Sequence, residues 1–131
     1  MSTTGTFEVV TDSPFGALKP SEIELSPSEE AYKVRVRETI GNAGRAWTDM
    51  ELMFPKFDKF AVFDVAKLSS VKFSSLSDSY LVHYLPLSGK LTVWYAKNGE
   101  INGVFTFEMG QNEQGYPTKI TVIGLFSLIN K

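Results

Sequence analysis

Lys90-Leu91-Thr92-Val93-Trp94-Tyr95-Ala96-Lys97-Asn98-Gly99-Glu100-Ile101-Asn102-Gly103-Val104-Phe105-Thr106-Phe107 is two alternating runs around one turn signal. Alternation at a period of two is what a strand with one buried face demands. Asn-Gly between two such runs is the strongest short-range mark of a hairpin. The usual two-residue loop would pair Leu91 with Thr106 and Lys90 with Phe107, mixing polar and apolar side chains on both faces. A three-residue loop, Lys97-Asn98-Gly99, instead pairs Leu91 with Phe105, Val93 with Gly103 and Tyr95 with Ile101. That register gathers every large side chain except Trp94 and Val104 on one face. A one-residue slip reverses the faces of a strand, and burying the six apolar side chains is worth about 1.5–3 kcal/mol each. Packing therefore predicts the longer loop, with Gly99 at positive φ in a bulge and Trp94 on the polar face beside Asn102.

The same rhythm runs outward along the chain. Downstream, Lys119–Ile129 completes a three-stranded meander, with Ile120, Val122 and Phe126 on one side and Ile123, Leu125 and Ile129 on the other. A strand apolar on both sides is either central in the sheet packing or part of a subunit interface. Ile123, Leu125 and Ile129 are therefore the candidate oligomer face. Upstream, strands are expected at 6–11, 21–26, 32–40, 47–54 and 80–85, the last closed by Pro86, with turns at Pro27–Glu30, Gly41–Gly44 and Asp78. The segment 57–68 fits either a short helix or a strand buried on both faces, with strand favoured for its Val and Phe. The serine-rich stretch 69–79, interrupted by Val71 and Phe73, reads as a short edge strand and a loop.

Composition agrees with sheet. Among 131 residues there are ten Phe, five Tyr and two Trp, and with abundant Val, Ile and Thr these favour pleated structure over helix. The length suits one domain, 1–131, without linker or repeat. The expected architecture is all-β, a mainly antiparallel sandwich or flattened barrel.

Several function classes are disfavoured by the same inventory. Cysteine is absent, which removes disulfides, thiolate metal sites and a thiol nucleophile. The net charge of −2, with acids and bases interspersed, offers no basic field for nucleic acid. The N-terminus lacks a basic and an apolar signal region, and no apolar run approaches the ~20 residues that span a bilayer. The expectation is a soluble cytoplasmic chain with no nucleic-acid or membrane partner. His83 is the only histidine, without a nucleophile motif or further metal ligands nearby in sequence, so neither metal nor cofactor is expected.

Lys33, Arg35 and Arg37 alternate with Tyr32, Val34 and Val36. They suit an anion site, but in an antiparallel succession Glu22 and Glu24 would flank them on one side and Asp49 and Glu51 on the other. Opposite charges across strands stabilise by roughly 0.2–1 kcal/mol per pair, and the ladder reading is favoured. Trp94, Trp47 and Asn102 are the candidate ligand- or partner-binding residues, because exposed Trp gives large contact area at low entropic cost. Asp58, Asp64, Asp78, Glu100, Glu108 and Glu113 are dispersed carboxylates of the kind a hydrolase pairs.

The pattern Ser88-Gly89-Lys90-Leu91-Thr92-Val93, then Asn102-Gly103-Val104-Phe105-Thr106-Phe107, then Ile120-Thr121-Val122-Ile123-Gly124-Leu125-Phe126 resembles a group of small bacterial all-β proteins and lipoproteins of unknown function. The resemblance implies a strand ending in a hairpin, a Gly-x-Phe-x-Phe strand and a closing strand with Gly-x-Phe. It implies no activity, and this chain has neither the signal sequence nor the lipidated cysteine of the lipoprotein members. The expected function is a non-enzymatic binding or protein-interaction module, with self-association among its candidate partners. The alternatives are a small-ligand or carbohydrate-binding barrel using the exposed aromatics, and a carboxylate-dependent hydrolase.

Overall fold

A computed structural model describes residues 2–12, 14–40, 46–77 and 80–131. Strands account for 72% of the described residues. They are β1 (Thr3–Thr11), β2 (Ala17–Leu18), β3 (Glu22–Pro27), β4 (Ala31–Ile40), β5 (Ala46–Pro55), β6 (Phe60–Asp64), β7 (Ser70–Ser77), β8 (Tyr80–Tyr95), β9 (Ile101–Gly110) and β10 (Lys119–Asn130). The turns expected at Gly41–Gly44 and at Asp78 lie outside the described residues. No helix among those described is long and apolar enough to cross a membrane.

All pairings are antiparallel, and the strands follow the order β2-β1-β10-β9-β8-β7-β5-β4-β3, with β6 added against β8. This single sheet curls into a flattened half-barrel. Alternate residues point inward and fill it: Val34 and Val36 from β4, Met50, Leu52 and Phe54 from β5, and Leu91 and Val93 from β8. Phe105 and Phe107 of β9 and Val122 and Phe126 of β10 complete one continuous core.

The β8–β9 hairpin has the register that its packing demanded. Tyr95 pairs with Ile101, Val93 with Gly103 and Leu91 with Phe105. The Gly99 N–H donates to the Ala96 carbonyl at 3.0 Å, and Gly99 adopts φ +87°, the left-handed geometry that costs glycine least. Trp94 lies on the outer face opposite Asn102.

Three expectations need correction. Segment 57–68 is strand β6 followed by a single 3-10 turn at Val65–Lys67, which Asp64 caps by accepting from the Ala66 N–H at 3.1 Å. Strand β6 is not buried on both faces, since Phe60 and Val62 are exposed. The serine-rich stretch is no edge: β7 lies between β5 and β8. Val71 and Phe73 are buried there, while small hydroxyls bond to neighbouring strands. Pro86 does not end a strand either, because β8 runs from Tyr80 to Tyr95 through a bulge between Pro86 and Ser88. A bulge is one of the few places where a sheet tolerates proline's missing donor. Strand β8 is thereby shared, its first part pairing with β7 and its second with β6.

Candidate functional site

The outside of the half-barrel has two regions of opposite character. Over β3, β4 and β5 the outward residues are charged. Arg35 stands opposite Glu24 and Glu51, and Arg37 opposite Glu22 and Asp49. Asp49 Oδ2 accepts from Arg35 Nε (3.2 Å) and Nη2 (3.1 Å), and from Arg37 Nε (3.0 Å) and Nη2 (2.8 Å). Lys33 reaches diagonally to Glu51 at 3.1 Å. Hydrogen bonding and attraction to Asp49 hold the Arg35 guanidinium above its ordinary pKa. Acids of both flanking strands surround the basic stripe, as the ladder reading expected, and their charges leave little for an external anion.

Beside this ladder, Arg37 lies over the Trp47 ring, 4.2 Å from its centroid, so Trp47 is half covered by a neighbour of its own sheet. Next in the same cross-strand row, Ser74 Oγ and His83 Nδ1 are 2.6 Å apart. A nucleophile and a base in contact invite comparison with a catalytic triad, but Ser74 is buried and the nearest acid, Asp49, is engaged by two guanidinium groups. The shallow depression there, about 220 Å³, is lined by Arg35, Asp49, Glu51 and Lys72 as well as the pair. Among the described residues, the dispersed carboxylates stay apart in their bonding. Glu100 accepts from the Asn98 side chain and from Ser127 Oγ, which pulls its carboxyl below the ordinary value, and Glu108 pairs with Lys119 at 3.1 Å. No group of three metal-ligating side chains occurs among the described residues.

The second region covers β6, β8, β9, β10 and β1. Its outward cross-strand rows are Val62–Thr92–Val104–Leu125–Glu8 and Asp64–Lys90–Thr106–Ile123–Val10. Val10 is 54%, Ile123 52%, Leu125 47% and Val104 43% exposed. Together with Thr92, Thr106, Glu8 and Lys90 they border a groove of about 580 Å³, floored by Gly124 and Phe105. Phe60, Trp94 and Asn102 form the adjoining row. Of the residues singled out from sequence, the structure therefore brings Trp94, Asn102, Ile123 and Leu125 onto one face, with the half-buried Ile129 at the end of the same side of β10. Trp47 is left on the charged region. Sequence reasoning set Val104 on the outer face but singled out neither it nor Val10 and Val62 as site residues. Their neighbours across the sheet make the patch, and strand order supplies those. Comparison with known protein families, curated proteins and solved structures finds no match to this chain.

Proposed function

We propose that this chain is a non-catalytic interaction module that binds another protein surface through the outer face of β6, β8, β9, β10 and β1. The observation that carries the reading is the contrast between the two outer regions. Where β3, β4 and β5 face outward, the chain spends charged side chains on a paired ladder. Where β9, β10 and β1 face outward, it leaves Val104, Ile123, Leu125 and Val10 in contact with solvent. The largest contiguous exposed apolar patch of a protein is often its contact site. Glu8 and Asp64, at opposite ends of the two rows, and Lys90 beside Asp64 supply polar groups at the edge of the patch, as the rim of such sites does.

The test is the double variant Ile123→Glu/Leu125→Glu, with Leu128→Ala on the inner side of β10 as the reference. The folded wild-type chain should bind an environment-sensitive apolar dye, and the double variant should lose that signal with a nearly unchanged melting temperature. Leu128→Ala, which opens a core cavity, should cost about 2–5 kcal/mol and keep the surface signal while folded. A double variant that loses as much stability as Leu128→Ala would make Ile123 and Leu125 part of the fold's own packing and overturn the proposal.

A further inference from the structure

The apolar face is self-complementary, and we infer that its partner is a second copy of this chain, packed sheet against sheet about a two-fold axis running along the strands between β9 and β10. The inference rests on the contact-module reading and names its partner. Such an axis exchanges β9 with β10 and β8 with β1. It sets Val104 of one copy against Leu125 of the other and Thr106 against Ile123, so each larger side chain of β10 meets a smaller one of β9. It also lays Lys90, on β8, over β1 of the partner within one residue pair of Glu8.

The charges suit that arrangement. Glu8 and Lys90 are both exposed, stand at opposite corners of the groove, and neither takes part in a salt bridge among the described residues. Asp64, the cross-strand neighbour of Lys90, turns its carboxylate to the Ala66 N–H instead. Each copy thus offers one acid and one base that the two-fold brings together twice. From Val62 to Val10 the patch spans four strand intervals, roughly 19 Å, and is two cross-strand rows deep, smaller than the interface of a standard stable complex. The dimer is accordingly a weak one that forms as concentration rises.

Sedimentation velocity of the full chain, from low micromolar to near-millimolar concentration, tests this. The wild type should pass from monomer to dimer. Glu8→Lys and Lys90→Glu should each raise the dissociation constant about tenfold, because each turns two attractions into repulsions, and Glu8→Lys/Lys90→Glu together should restore it to within about threefold. Leu125→Glu should abolish the dimer. A wild type that remains monomeric throughout, or a dimer indifferent to both charge reversals and to Leu125→Glu, overturns the inference. Dye binding by the monomer would then leave the contact-module reading standing with a different partner, whereas loss of both would remove it too.

Discussion

Gly103 and Gly124 stand across the β9–β10 ladder from Phe126 and Phe105, and each ring lies over the bare backbone of the glycine opposite. A Cβ built on Gly103 would run into the Phe126 ring, and one on Gly124 into the Phe105 ring. The glycines are therefore there for space, and the rings replace the packing that a glycine in a strand forfeits. Gly124→Ala should destabilise the domain by about 1–3 kcal/mol, the cost of overpacking a filled core. Combining it with Phe105→Leu, which frees room above the new methyl, should cost less than the two changes summed, read by denaturant midpoints in a double-mutant cycle. Strict additivity would mean that the ring and the glycine are not in contact. In the sequence these residues were visible only as a Gly-x-Phe frame. The pairing of each ring with a glycine on the other strand depends on the register between β9 and β10, which neither strand carries alone.

At the level of elements, strands with a clean alternation were legible. Tyr32–Ile40, 47–54 and the β8–β9 hairpin each had a polar side that an apolar core could not take, so face and register followed. Strand β7 was misread because serine marks loops by habit, although its small hydroxyls are what a crowded inner strand accommodates: Ser75 meets Thr48 Oγ1 at 3.2 Å, and Ser74 meets His83. The closure of the sheet was illegible for a different reason, since it depends on two side chains and one backbone unit far apart in sequence. The Leu25 N–H on edge strand β3 donates to Thr3 Oγ1 (2.9 Å), Thr3 Oγ1 donates to Asn130 Oδ1 (2.7 Å), and Asn130 Nδ2 donates to the Leu25 carbonyl (2.8 Å). Thr3 and Asn130 thus give one residue of β3 the two hydrogen bonds that a further strand would provide, blunting an edge open to unwanted pairing. Thr3→Ala breaks two of the three bonds, among them the one the Leu25 N–H makes, and should cost about 1–3 kcal/mol, with faster amide exchange at Leu25 than at its neighbours on β4. Unchanged exchange at Leu25 would show that the seam does not hold the edge.

At the scale of the whole molecule, the curl of the sheet brings together strands that are not neighbours. Tyr32 on β4 and Tyr95 at the end of β8 are separated by β7 and β5 in the strand order, yet their hydroxyls lie 2.7 Å apart. Phe57, in the connection from β5 to β6, stacks on Tyr95 with centroids 4.4 Å apart and meets Tyr32 edge-on. An all-β chain was evident from period and composition, but the amount of curl was not, because it is set by how these side chains from separate strands fill one end of the half-barrel. The contact carries a pH signature. Burial, then the hydrogen bond and charge of Tyr32, push the Tyr95 hydroxyl up to about 12, against ~10 for tyrosine in an unfolded chain. Between those values the folded state holds a proton that the unfolded state has released, so stability falls as pH rises. The contribution is fully present below pH ~10 and is lost as the pH climbs through about 12. Burial also raises the Tyr84 hydroxyl, which donates to the Pro117 carbonyl at 2.7 Å, so two tyrosines share the alkaline loss. Tyr95→Phe should lower stability at neutral pH by removing the hydroxyl pair and flatten its decline across the alkaline window, while Tyr32→Phe, which leaves Tyr95 buried, should flatten it less. Chemical denaturation at several pH values on either side of 10 measures both, and a Tyr95→Phe variant declining as steeply as wild type would assign the alkaline loss elsewhere.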